Sequence, residues 1–96
     1  MSEIKLQSEY KDLDKYKLGD LIYYCKKYTK QIHNPYGAAI INEDGTKYYF
    51  IENKYHRLDG PAIIYYNSEE KYFINGQFLT KEEFELHPER LKFLGK

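Results

Sequence analysis

The sequence predicts a single mainly β domain of the α+β class. An antiparallel β-meander of stacked hairpin repeats is expected between an N-terminal helix and a short C-terminal helical segment. Three observations predict this fold: two 23-residue segments, 33–55 and 56–78, align without a gap; their apolar runs end in turn residues; and a helix start signal follows them. Repeated apolar runs of this kind are buried by stacking on their neighbours. The predicted units within 1–96 are a helix over 3–18, a leading half-repeat over 20–32, repeats over 33–55 and 56–78, and a helical cap over 80–95.

The two repeats match at the positions expected to form strands and turns. The aligned positions are His33 with His56, Gly37 with Gly60, Ala39-Ile40-Ile41 with Ala62-Ile63-Ile64, and Tyr49-Phe50-Ile51 with Tyr72-Phe73-Ile74.

The N-terminal segment is predicted to be helical because apolar residues recur at helical spacing among charges. Leu6, Tyr10 and Leu13 follow this spacing, and Gly19 is expected to end the helix. The next run, Leu21 to Cys25, is rich in residues that favour strands.

The predicted sheet continues through 38–41, 47–51, 62–66 and 71–74. The connection Asn42-Glu43-Asp44-Gly45 predicts a hairpin, because Asp-Gly is favoured where φ must be positive. Asn75-Gly76 predicts a second tight turn.

A capping box marks the start of the C-terminal helix. Thr80 is the expected N-cap and Glu83 its partner at the third helical position, and Leu79 and Phe84 can form a hydrophobic staple. Pro88 interrupts this helix and suits the first position of a second short helix that ends near Gly95.

Composition excludes several classes of protein. Fifteen basic residues balance fifteen acidic ones, so no overall charge attracts the chain to a polyanion. Cys25 is the only cysteine, which excludes an internal disulfide framework and fits a reducing compartment. No segment approaches the roughly 20 apolar residues of a membrane span, and no signal peptide is evident. A cytoplasmic protein that does not contact a membrane is expected.

The most distinctive local motif is the heptapeptide that starts the second repeat, which predicts a structural turn. Asp59 can accept hydrogen bonds from nearby backbone, Gly60 can adopt backbone conformations closed to other residues, and Pro61 fixes φ before a strand. Arg57 can pair with Asp59, and His56 can satisfy turn backbone groups.

The 23-residue period, with a histidine near the turn and a glycine after it, resembles the MORN repeat. The motif H-R-x-D-G-P-A of residues 56–62, the aromatic strand that follows and the helical tail look like a divergent branch found in bacteriophages and large DNA viruses. The first repeat lacks the Arg and the Asp. The resemblance implies a stacked-hairpin fold and contact with proteins or lipids rather than catalysis, without cofactors.

Catalytic and metal sites are disfavoured. His33 and His56 occupy equivalent positions and, with Asp59, might share a metal, but a position reused by the repeat is better explained by a structural role. Catalysis by Cys25 would need an exposed thiol with a lowered pKa, whereas the residue lies in an apolar strand. The sequence therefore predicts a protein that is not an enzyme and holds neither metal nor cofactor.

A protein partner is the expected ligand. The chain has twelve tyrosines and five phenylalanines, and the helices are too short to cover both faces of the sheet. The candidate contact residues are Tyr65, Tyr66, Tyr23 and Tyr24, and the expected partner is a host protein bound stoichiometrically, for example one in defence or transcription. One alternative is a self-associating virion or scaffold component, as a homodimer through a sheet edge or face. Another is weak binding of single-stranded nucleic acid, which zero net charge disfavours.

Overall fold

The structure, a computed structural model, describes residues 2–95 and is mainly β. Its strands are β1 (Glu3–Leu6), β2 (Leu13–Leu18), β3 (Leu21–Lys26), β4 (Ile40–Ile41), β5 (Lys47–Tyr48), β6 (Phe50–Ile51), β7 (Lys54–Tyr55), β8 (Ile63–Ile64), β9 (Glu70–Ile74) and β10 (Gln77–Leu79). Its helices are α1 (Lys81–Glu85) and α2 (Pro88–Leu94).

Eight strands form one antiparallel sheet in the order β1-β2-β3-β4-β5-β8-β9-β10, and β6 pairs with β7 in a small second sheet. Each strand of the large sheet pairs with the next along the chain, except that β5 pairs with β8 around the β6–β7 hairpin. The predicted antiparallel meander is thus confirmed.

The prediction of a helix over 3–18 is wrong, because this segment forms β1 and β2. In β2 the sequence Leu-Asp-Lys-Tyr-Lys-Leu alternates in a way that suits a strand with two different faces, and it pairs with β3 along six residues. Gly19, with φ +63°, lies in the tight turn between the two strands instead of ending a helix. Helical spacing of a few apolar residues was a weaker signal than the gain from pairing with a neighbouring strand.

The backbone hydrogen bonds repeat with the same 23-residue period as the sequence. Ala39 N–H donates to the carbonyl of Tyr48 at 2.8 Å, and Ala62 N–H donates to that of Lys71 at 2.9 Å. Further equivalent bonds are Asn34 to Phe50 and Arg57 to Phe73, Asn42 to Thr46 and Tyr65 to Glu69, and Asn53 to Ile32 and Gly76 to Tyr55. The two segments therefore have the same backbone arrangement.

Each repeat turns sharply where two successive residues have positive φ. In the first repeat these are Glu52 (φ +48°) and Asn53 (φ +67°), and in the second Asn75 (φ +52°) and Gly76 (φ +82°). Two positive φ values in a row suit the right-handed twist of a hairpin. The predicted turn at Asn75-Gly76 is present, and Gly45 also has positive φ in the predicted hairpin turn (φ +93°).

The helical cap follows the prediction closely. The Thr80 hydroxyl accepts from Glu83 N–H at 3.1 Å, while the Glu83 carboxylate accepts from Thr80 N–H at 2.9 Å. Phe84 then packs with Ile74 and Leu79 in the main hydrophobic cluster, against Leu58 and Tyr72. α2 begins at Pro88 after the N-cap His87, and its C-cap is Gly95.

Candidate binding surface

Alternation along the strands places a row of rings on one face of the sheet. The cross-strand pairs join Tyr16 to Tyr23, Tyr23 to Ile40, Ile40 to Tyr48 and Tyr48 to Ile63, so these side chains share a face. We call this the aromatic face; its rings are Tyr16, Tyr23, Tyr48, Phe50, Tyr55, Tyr65, Phe73 and Phe78.

The rings of the aromatic face contact one another across strands. Tyr55 lies 4.4 Å from Phe50 and 4.9 Å from Phe73 between ring centroids, and Phe73 lies 5.5 Å from Phe78. Tyr16 and Tyr23 stack at 5.2 Å near the other end. Phe78 is 58% exposed and the other rings are half-buried, so the row offers apolar surface that is already ordered.

A cavity of about 420 Å³ opens at the β1 end of this face. Its lining includes Tyr16, Tyr23, Ile40, Glu3 and Lys30. The Tyr23 hydroxyl donates a hydrogen bond to the Glu3 carboxylate, and burial, followed by this bond, raises the pKa of Tyr23. The cavity therefore combines apolar walls with one acidic and one basic side chain.

The opposite face of the sheet is covered by loops and helices. The Tyr24 hydroxyl lies 3.0 Å from the Glu9 carboxylate, and the Arg57 guanidinium lies 4.0 Å above the Tyr49 ring. Tyr72 packs 4.6 Å from Phe84 of α1. These tyrosines serve packing within the domain.

The four sequence candidates for partner contact have different surroundings. Tyr23 is half-buried on the aromatic face, whereas Tyr24 is only 5% exposed on the covered face and has little surface to offer. Tyr65 is half-buried on the aromatic face, with the Lys71 ammonium 5.6 Å from its ring. Tyr66 is 71% exposed in the turn after β8, on the side opposite to Tyr65.

Sequence analysis missed most rings of the aromatic face, although a signal was present. Phe50 and Phe73 occupy equivalent repeat positions directly after Tyr49 and Tyr72. Strand alternation sends such neighbours to opposite faces, so one aromatic column was predictable on each side.

Arg57 is the centre of the turn motif. Its Nε lies 2.9 Å from the Asp59 carboxylate, and its guanidinium donates to the Pro61 carbonyl at 3.1 Å. Gly60 does not have the left-handed φ that its sequence context suggested. Its role is to leave space, since a Cβ there would lie 2.9 Å from Arg57 Cζ.

The first repeat replaces the arginine with a smaller residue that makes the corresponding bond. Asn34 Nδ2 donates to the Ala38 carbonyl at 3.0 Å, and Asn34 Oδ1 accepts from Tyr36 N–H at 2.9 Å. Nothing lies within 4 Å of a Cβ built on Gly37. The altered motif thus retains its turn without the ion pair.

Both repeat histidines serve the backbone. Nδ1 of His33 accepts from Glu52 N–H at 3.0 Å, and Nδ1 of His56 accepts from Asn75 N–H at 3.0 Å. Burial lowers the pKa of both imidazoles, with the Lys26 charge adding to the effect at His33. Within residues 2–95, no group of three or more His, Cys, Asp or Glu side chains is arranged to hold a metal ion.

Cys25 is buried, and burial raises the pKa of its thiol. A thiolate is the reactive form of cysteine, so this position suits packing rather than nucleophilic chemistry.

The chain matches no protein-family model, no curated protein and no solved structure. In the described part of the chain, neither helix has the length and apolar character needed to cross a bilayer.

Proposed function

We propose that this chain is a non-enzymatic protein-binding module that occupies a partner's surface with its aromatic face. The observation that carries the proposal is the difference between the two faces of the sheet. One face is packed beneath loops and helices, while the other presents a continuous row of partly exposed rings.

Such a surface suits protein recognition for physical reasons. Rigid aromatic side chains bury a large area on binding and lose little conformational entropy, and they are enriched among interface hot spots. Contacts within the row hold the rings in place before binding, which lowers the entropic cost of association. The cavity beside Tyr23 and Lys30 can accept one anchoring side chain from the partner.

The partner class follows from chemistry and from the repeat resemblance. The surface is mainly apolar with isolated charges of both signs, which fits a folded protein better than a nucleic acid. If the likeness to phage and viral repeats holds, the partner is a host protein that is bound stoichiometrically and modulated or inhibited. Of the sequence candidates, we assign Tyr23 and Tyr65 to this surface.

The test compares partner capture by face variants with capture by a matched control. Phe78→Ser and Tyr65→Ser remove rings from the aromatic face, whereas Leu86→Ser removes an equally exposed apolar side chain between the helices. Tagged proteins incubated with host lysate are analysed by quantitative mass spectrometry. We expect one or more proteins to be retained by the native chain and the control and lost with both face variants. Retention by all three folded variants would contradict the proposal.

A further inference from the structure

The first strand leaves one edge of the large sheet open, and its charges are self-complementary. β1 is the outermost strand and pairs only with β2 in the sheet order. Its residues Glu3, Ile4 and Lys5 are all exposed. An unpaired edge is a template for another strand, so the relevant question is which strand fits it.

The hydrogen-bond pattern shows which backbone groups of β1 point outward. Tyr24 N–H donates to the carbonyl of Ala39, so even-numbered residues of β3 direct their backbone groups away from β2. Lys27 N–H donates to Asp12, which places odd-numbered residues on the β2 side. Antiparallel pairing alternates in this way along each strand.

This alternation can be followed through β2 to the edge. Tyr16 pairs with Tyr23 and therefore directs its backbone groups towards β3, which leaves Lys17 directed towards β1. Ile4, opposite Lys17, points back to β2. The backbone N–H and C=O groups of Glu3 and Lys5 therefore face outward.

We propose that this edge pairs with the same edge of a second copy, in an antiparallel dimer centred on Ile4. In this register Glu3 lies opposite Lys5 of the second copy and Lys5 opposite its Glu3. All four residues present outward backbone groups, so both pairs can exchange hydrogen bonds. Each pair also brings opposite charges together, which stabilises cross-strand neighbours.

The charges select this register over its neighbours. A shift of two residues along one strand, which keeps outward groups opposed, places Lys5 opposite Lys5 or Glu3 opposite Glu3. Like charges directly opposite are destabilising. Lys5 is held 3.5 Å from Asp14 but keeps an exposed ammonium, so it can also contact a second carboxylate.

The symmetry closes the assembly and extends the aromatic face. The two-fold axis of such a pair runs perpendicular to the sheet, so the aromatic faces of both copies lie on the same side. Ile4, which is 56% exposed, meets its counterpart on the other side. The far edge, β10, has three residues and leads directly into α1, which packs on it, so growth beyond two copies is disfavoured.

Sedimentation analysis of charge variants tests the dimer. The native chain is expected to change from an 11.6 kDa monomer to a species of twice that mass as concentration rises from ~10 µM to ~1 mM, because a short edge gives a modest interface. Glu3→Lys and Lys5→Glu should each stay monomeric across this range, since each opposes like charges. Mixed in equal amounts, the two variants should form a 1:1 dimer.

The double variant Glu3→Lys/Lys5→Glu separates pairing from folding. It exchanges the two charges, so it should dimerise like the native chain. A native chain that remains monomeric, a dimer of either single variant alone, a mixture that stays monomeric, or an open series of larger species would overturn the inference. Dimerisation and partner capture are measured separately, so either can fail without the other.

Discussion

His33 and His56, one repeat apart, hold equivalent turns through the same ring nitrogen. Each Nδ1 accepts at 3.0 Å from the first of two successive residues with positive φ, Glu52 in one repeat and Asn75 in the other. An Nδ1 that accepts must be unprotonated, so the neutral imidazole with its proton on Nε2 is the form that fits.

This arrangement predicts stability that depends on pH. The pKa of both histidines is lowered in the folded state, so the unfolded chain binds their protons more readily. Their contribution is present above the usual histidine pKa of about 6.5 and is lost as pH falls towards the lower folded pKa. We expect the urea midpoint to fall as pH is lowered from about 7 to about 5.

Substitution of the histidines identifies the source of this dependence. In His33→Gln/His56→Gln the slope between these pH values should largely disappear, and each single variant should remove part of it. A double variant with the native slope would assign the dependence to carboxylates instead.

The paired glycines provide a second prediction with an internal control. Gly60→Ala should destabilise the domain by about 1 to 2 kcal/mol, because the new Cβ displaces the Arg57 guanidinium from Tyr49 and from the Pro61 carbonyl. Gly37→Ala should change the free energy of unfolding by less than about 0.5 kcal/mol, because its surroundings are open. Chemical denaturation measures both.

A double-mutant cycle tests the cause. If Gly60 matters because it leaves room for Arg57, the alanine should cost little once the side chain is removed by Arg57→Ala. An unchanged cost in that background would mean that the glycine is required for another reason.

The adjacent pair Tyr65 and Tyr66 gives a third prediction. Tyr65 is half-buried beneath Lys71, and Tyr65→Ser should lower the free energy of unfolding by about 1 kcal/mol and weaken partner capture. Tyr66→Ser should change stability by less than about 0.5 kcal/mol and retain the partner, because this exposed ring lies off the aromatic face. If only Tyr66→Ser loses the partner, the binding surface is at the hairpin tip.

Local signals and repetition allowed much of the fold to be predicted. The capping box at Thr80 involves residues three positions apart, and the hairpin glycine Gly45 acts within a single turn. Such features need no distant partner to form. The repeat added the order of the strands, because equivalent positions must have equivalent neighbours.

What could not be predicted depends on distant contacts. Residues 3–18 contain both a helical spacing and an alternating pattern, and the pairing of β2 with β3 decides between them. The reason for Gly60 also lay in a side chain folded back over it, which composition does not reveal. Similarly, the continuity of the aromatic face follows only from the register across several strands.

The N-terminal hairpin therefore provides the last prediction. Leu13 is 2% exposed at the start of β2, so Leu13→Ala should destabilise the whole domain by about 2 to 4 kcal/mol through lost burial and the remaining cavity. Leu18, at the other end of the same strand, is 38% exposed, and Leu18→Ala should cost less than about 1 kcal/mol. Both are measured by urea denaturation, followed by circular dichroism at a wavelength sensitive to strands. If 3–18 were a loosely attached segment instead of two strands of the sheet, the two alanine variants would have similar, small effects on the main transition.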